Sequence, residues 1–315
     1  MEELKSLNRR SFLRNLGVLG GTLAVSQLPQ FVQAKSSKEV KITILHSNDV
    51  HSRIEPFPMD GSRFQGLGGI ARRSTLIKQI RQSERNVLLL DAGDMFQGTP
   101  YFNMFDGEVE LSLMSQLKYD AGTFGNHEFD NGIAGILKHF DKATFPFLTS
   151  NYDFSQTALA GKTKDYVIFE KERIKIGVFG LCIDVEGLVD KNNHAGMRYL
   201  DPITVANKIV PTLKGKHKCD IVICLSHLGY SYKEGKVSDL RVAAATKDID
   251  LIIGGHTHTY LDKPTEVKNA AGKITLVNQA AHGGAVLGRI DFILNSKTKE
   301  KRIAYNNYIL NNDIA

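Results

Sequence analysis

The chain has 315 residues, 42% of them hydrophobic and 23% charged, which excludes intrinsic disorder, a collagen-like repeat and a multi-span membrane architecture and allows a sizeable core. The formal charge of +6, from 40 basic and 34 acidic residues, falls to +4 without residues 1–34. That excess is too mild to argue for a nucleic-acid polymer as partner.

The first segment reads as an address. Asn8-Arg9-Arg10-Ser11-Phe12-Leu13-Arg14 precedes a short apolar, glycine-rich stretch from Leu16 to Val25, and Val32-Gln33-Ala34 offers a small-residue cleavage site. The stretch is too short for a stable membrane span. The pattern resembles a bacterial twin-arginine export signal. The resemblance implies that residues 1–34 are cleaved, that residues 35–315 form the mature domain, and that the protein is exported to the periplasm.

From Val40 onward, short apolar runs alternate with helix-period segments. The runs are Val40–Leu45, Val87–Leu90, Ala121–Phe124, Phe145–Leu148, Ile174–Leu181, Ile221–Leu225 and Leu251–Ile253. Helical periodicity covers Gly69–Arg81, Glu108–Leu117, Asn131–Phe140, Thr204–Leu213 and Val237–Lys247. Alternating strands and helices predict an α/β fold with a largely parallel sheet, whose ligands gather at the carboxyl ends of the strands. Gly66-x-Gly68-Gly69 completes no phosphate-loop motif and predicts a tight turn packed on a helix. Cys182, Cys219 and Cys224 are an odd set without zinc-finger spacing and predict small core residues. Lys297–Arg302, interrupted by Glu300, predicts a solvated turn between strands.

The strand exits carry the chemistry. The first delivers Asp49 and His51, the second Asp91 and Asp94, the third Asn126, His127, Glu128 and Asp130; later exits deliver Ser226 and His227, then His256 and His258. The run ending at Leu181 offers no comparable set. Carboxylates, imidazoles and one amide oxygen suit Mn, Fe, Co or Zn better than calcium or a thiolate cluster. The alternation in His256-Thr257-His258 predicts two imidazoles on one side of an extended segment. Of the other histidines, His139, His194 and His217 are expected at the surface, His46 buried at a strand end, and His282 in a loop near a pocket mouth.

Asp49-Val50-His51, Gly93-Asp94, Gly125-Asn126-His127-Glu128, His227 and Gly255-His256-Thr257-His258, in that order, resemble the calcineurin-like metallophosphoesterases. Ile44-Leu45-His46-Ser47-Asn48-Asp49-Val50-His51, the extension to Phe129-Asp130, and Val277-Asn278-Gln279-Ala280 narrow the resemblance to the catalytic N-terminal domain of 5′-nucleotidases, from about Lys41 to the C-terminus. The resemblance implies an α/β/β/α sandwich with two mixed sheets. It implies two divalent metal ions bridged by Asp94, one completed by Asp49, His51 and His258, the other by Asn126, His227 and His256. Two dications ~3.5–4 Å apart need such a shared anionic ligand. His127, oriented by Asp130, is implied to stabilise the transition state and protonate the leaving oxygen, with Asn126 and His127 on the substrate phosphate. The implied reaction is hydrolysis of phosphomonoesters, nucleoside monophosphates above all, by metal-activated hydroxide. The other readings are a 2′,3′-cyclic-nucleotide phosphodiesterase, a sulfate-thiohydrolase-like hydrolase and a noncatalytic metal-binding scaffold. The family's nucleobase-clamping C-terminal domain has no counterpart before Ala315, so either a separate partner chain supplies it or the substrate range is wider.

Overall fold

The computed structural model describes residues 39–314 apart from 296 and 299. The export signal read over residues 1–34 lies outside the described residues. Strand β1 (Glu39–Ser47) is followed by helix α1 (Ile70–Ser83), β2 (Val87–Asp91), helices α2 (Pro100–Phe105) and α3 (Glu108–Gln116), and β3 (Ala121–Gly122). Helix α4 (Gly132–Lys138) and β4 (Tyr152–Asp153) lead to β5 (Tyr166–Lys171), β6 (Ile174–Leu181), β7 (Arg198–Tyr199), α5 (Pro202–Pro211), β8 (Ile221–Ser226), α6 (Asp239–Ala245) and β9 (Leu251–Gly254). Five strands close the domain: β10 (Thr265–Lys268), β11 (Ile274–Asn278), β12 (Val286–Asn295), β13 (Lys301–Tyr305) and β14 (Tyr308–Ile309).

Two mixed sheets form. In the first, ordered β13-β12-β1-β2-β3, the strands β1, β2 and β3 are parallel and β12 and β13 antiparallel. In the second, ordered β10-β11-β9-β8-β6-β5, four parallel strands are flanked by antiparallel β10 and β5. The expected largely parallel sheet therefore holds only in part: for β1, β2 and β3 on one side of the first sheet and for the four central strands of the second. Short connections such as those of β5–β6, β10–β11 and β12–β13 can only turn the chain back, which makes these pairs antiparallel.

Side-chain alternation explains the layers. Ile42, Ile44, Leu88 and Leu90 of the first sheet meet Ile176, Val178, Ile221, Ile223 and Ile253 of the second in one buried cluster. Their neighbours point outward: Leu45 and Leu89 pack under Leu76, Ile77 and Ile80 of α1, and Val222, Cys224 and Ile252 pack under Val205, Val210, Val242 and Ala243 of α5 and α6. The result is an α/β/β/α sandwich. Strands covered on both faces read as unbroken apolar runs, which is why they stand out in the sequence. Helix α1 buries Arg73, Leu76, Ile77 and Ile80, the stripe of a one-sided helix. Helix α5 starts where Asp201 accepts the Thr204 N–H at 2.7 Å, with Pro202 in the first turn.

Phe145–Leu148 is not a strand. It makes single parallel bridges from Phe147 to Gly122 and from Leu148 to Lys164, because its neighbour β3 is only two residues long. The turn expected at Lys297–Arg302 ends earlier, since Lys301 and Arg302 already pair in β13. Cys182, Cys219 and Cys224 are free and buried. Gly66, Gly68 and Gly69 all have left-handed φ and lead directly into α1. Among the described residues no helix is long and apolar enough to cross a membrane.

Candidate functional site

The carboxyl ends of β1, β2, β8 and β9, with the loop after β3, meet at one edge of the sandwich. Three of its ionisable groups are withdrawn from solvent, Asp49 and His227 at 0% exposure and Asp94 at 2%, while His51, His127 and His256 are half-buried and His258 is exposed. Three groupings bring ligand atoms within 4.8 Å of one another: Asp49, His51 and His258; Asp94, His227 and His256; and His51, Asp94 and His127. Asn126 joins the second through its Oδ1, 2.9 Å from His256 Nδ1. Asp130 Oδ2 accepts from His127 Nδ1 at 2.8 Å. All the residues singled out at the strand exits as metal or catalytic candidates are thus assembled in one place.

Asp94 sits at the junction. Its Oδ2 lies 3.0 Å from His227 Nε2 and 3.9 Å from His51 Nε2, while its Oδ1 accepts the His127 backbone N–H at 2.9 Å. His227 Nδ1 donates to the Ala92 carbonyl at 2.7 Å, so its Nε2 is the nitrogen turned to the carboxylates. That Nε2 is buried and, despite its closeness to Asp94, is not aligned for a hydrogen bond. A neutral imidazole would face the carboxylate lone pair to lone pair, so a positive charge belongs between them. Burial holds the imidazoles of His256 and His258 down at about 4, which keeps them neutral and ligand-competent at neutral pH. Burial also pushes the Asp49 carboxyl up to about 8, a cost that a bound cation removes. The donor set, the orphaned Nε2 and the buried acids all fit divalent cations.

The backbone shape of this site was not legible in the sequence. Asp49, His51, Asp94, His256 and His258 all have φ between 49° and 71°, the left-handed region that side chains other than glycine seldom adopt. His256 and His258 therefore sit in a tight turn, with the Thr257 N–H bonded to the Gly255 carbonyl at 2.9 Å, and not on the expected extended segment. The two imidazoles still fall into different groupings.

A profile of the calcineurin-like phosphoesterases matches residues 42–260. The chain belongs to that family. It is 36% identical over 299 residues to the snake venom 5′-nucleotidase of Crotalus adamanteus, covering 87% of this chain and 49% of the relative. The solved 5′-nucleotidase precursor of Thermus thermophilus superposes with a TM-score of 0.78 at 32% identity, over 88% of this chain and 56% of that one. The calcineurin-like phosphoesterase YfkN of Bacillus subtilis superposes with a TM-score of 0.70 at 27% identity, over 87% of this chain and 91% of that one. The chain spans about half the length of the snake venom relatives it matches.

Several residues of this phosphoesterase site carry jobs that sequence reasoning did not assign. Glu128, buried under the loop, accepts the backbone N–H groups of Asp94 at 3.0 Å, Met95 at 2.8 Å and Gly125, and so ties the second strand exit to the third. Gln279 Oε1 accepts from Thr257 Oγ1 at 3.2 Å and from the Thr259 N–H, while its Nε2 donates to the Gly255 carbonyl, bracing the loop of both histidines. Asn48 donates to Asp49 Oδ2 at 2.6 Å. An acidic residue directly after Asn-His is the one signal that could have pointed to Glu128. Burial raises its carboxyl to about 7, with the nearby Asp94 charge adding to the effect. The His127 imidazole is held above its usual value, chiefly by the Asp130 bond. Ser226 donates to Asp239 at 2.5 Å and is buried, and it does not line the cavity. His46 is buried and bonded to Asn278, and His282 lines the cavity as expected. His139, His194 and His217, expected at the surface, are half-buried; His217 Nε2 lies 3.1 Å from the Tyr166 hydroxyl.

Proposed function

We propose that this domain hydrolyses phosphomonoesters, nucleoside monophosphates in particular, over a pair of divalent cations that share Asp94. The carrying observation is that Asp94 Oδ2 lies 3.0 Å from His227 Nε2 and 3.9 Å from His51 Nε2, within reach of a residue of each proposed ligand set. On this reading Asp49, His51 and His258 hold one cation and Asn126, His227 and His256 the other. When bound, the cations neutralise the phosphate and lower the pKa of water in the site toward roughly 7. The kinship with 5′-nucleotidases supports the choice of substrate.

The protein's own groups do the rest. Asp130 fixes His127 Nδ1, which leaves Nε2 to face the phosphoryl oxygens in the cavity and to deliver a proton to the leaving oxygen. The Asn126 amide and His127 lie together on that wall and stabilise charge that builds on the phosphoryl group. A ligand site needs no His127–Asp130 pair, which favours catalysis over a binding scaffold. The test is turnover of nucleoside monophosphates by the purified chain loaded with Mn²⁺ or Zn²⁺, beside His127→Ala. The variant is expected to keep its metal and lose about 10²–10⁴-fold in kcat. No turnover by the loaded chain would sink the substrate reading, and unchanged turnover by the variant would sink the role of His127.

A further inference from the structure

Above the metal residues lies a cavity of about 400 Å³ whose wall beside His258 is made by Arg53, Phe57, His282 and Gly283. His282 stacks on His258, ring centres 4.6 Å apart and nearly parallel at 10°. Phe57 and Phe64 stack on each other at 5.4 Å and both meet the His282 ring edge-on, at 5.7 and 4.6 Å. The Arg53 guanidinium carbon sits 4.0 Å from the centre of the Phe57 ring, inside cation–π range. Gly283 leaves the space for this platform: a Cβ there would lie 2.4 Å from Phe57 and 3.3 Å from Arg53. The Gly283 N–H donates to the Asp49 carbonyl at 2.7 Å, so the platform is tied to the backbone of a metal residue.

Among the described residues, Arg53 is the sole lysine or arginine on the cavity wall. Among them too, its guanidinium has no hydrogen-bond acceptor and no ion-pair partner; it contacts the Phe57 face, and Asp60 acts on it only at longer range. Arg72, Arg81, Arg289 and Arg302, by contrast, each donate to a backbone or side-chain oxygen. A guanidinium stays charged at neutral pH, offers five donors in a planar fork, and matches phosphate oxygens in pairs. Held on a ring beside a phosphoryl site, it has lost freedom in advance and lacks only the anion.

We propose that Arg53, held on the face of Phe57, is a specificity-determining residue that binds the third non-bridging oxygen of a phosphomonoester dianion and thereby favours monoesters over diesters. A monoester presents three non-bridging oxygens and two charges. A diester presents two oxygens and one charge and has nothing to offer Arg53 once the metal residues, Asn126 and His127 are satisfied. The inference rests on the phosphoester reading above, and its test separates the two.

Inorganic phosphate at pH 8 is titrated calorimetrically into Mn²⁺-loaded wild type, Arg53→Ala and Arg53→Lys, with metal content and circular dichroism measured for each. Kinetics on p-nitrophenyl phosphate and bis(p-nitrophenyl) phosphate follow. Arg53→Ala is expected to weaken phosphate binding by on the order of tenfold or more, with Arg53→Lys between it and wild type. Its kcat/KM should fall on the order of 10- to 100-fold for the monoester and less than about threefold for the diester. Unchanged phosphate affinity, or equal losses on the two esters, overturns the inference; should the alanine variant lose metal, Arg53→Gln replaces it under the same criteria. A wild type that binds phosphate through Arg53 but cleaves neither ester upholds the anion contact and overturns the hydrolase reading instead.

Discussion

Gly125 shows how little room the site leaves. A Cβ at this position would lie 2.2 Å from Asp94 Oδ1 and 2.5 Å from His227 Nε2, between the carboxylate and the imidazole that the proposed cation would join. Gly125→Ala is therefore expected to fold, by circular dichroism, and to lose on the order of 10- to 100-fold in Mn²⁺ affinity, the scale seen when the support of a metal ligand is disturbed. Competition with a chromophoric chelator measures this directly, and wild-type affinity would show that the two side chains do not share a cation. The proposed ligands stood out in the sequence because His and Asp recur at successive strand ends. Their left-handed backbones were not, since Asp49 or His256 carries no local sign that the surrounding hydrogen bonds will hold it at positive φ. Glu128 escaped for a related reason: a carboxylate that binds four backbone N–H groups, those of Asp94, Met95, Phe96 and Gly125, has no partner visible in the sequence.

At the level of elements, one carboxylate joins a helix to two strands. Glu84, at the end of α1, accepts from Lys41 of β1 at 2.6 Å and from Arg289 of β12 at 2.6 Å, and Arg289 also reaches Asp291 at 2.9 Å. Burial works against the Glu84 charge, but the two hydrogen-bonded cations outweigh it and hold the carboxyl below 4.5, its ordinary value. For an acid depressed in the fold, the stabilisation is complete above the unfolded value and disappears as the pH falls through the folded one. Glu84→Gln should thus cost about 1–2 kcal/mol at pH 7, and the gap to wild type should close as the pH drops below 4.5. Urea unfolding at pH 7 and pH 3 checks this; a gap that does not change with pH would mean that the Glu84 charge contributes nothing. The linkage was invisible in the sequence, because it pairs residues 43 and 205 positions apart and one of its strands, β12, was not revealed by the apolar pattern. Strands β10 and β13 are exposed sheet edges, whereas the doubly covered β6 and β8 were found almost residue for residue.

For the whole molecule, the sandwich turns sequence distance into proximity. His227 stands 135 positions from Ala92 and His256 stands 130 from Asn126, yet they touch at 2.7 and 2.9 Å because parallel strands end at one edge. The α/β class and the gathering of polar residues at strand ends followed from strand–helix alternation, and the layer order from the resemblance to metallophosphoesterases. The Arg53–Phe57–His282 wall did not, since it is assembled from a loop after β1 and a loop before β12 that carry no periodic signal. The central claim is that one carboxylate, Asp94, is shared by two cations. Anomalous diffraction from crystals of the Mn²⁺-loaded chain tests it most directly: two peaks are predicted ~3.5–4 Å apart on either side of Asp94, one beside Asp49, His51 and His258 and the other beside Asn126, His227 and His256. A single peak, or peaks that leave Asp94 outside the coordination of either ion, would contradict the account.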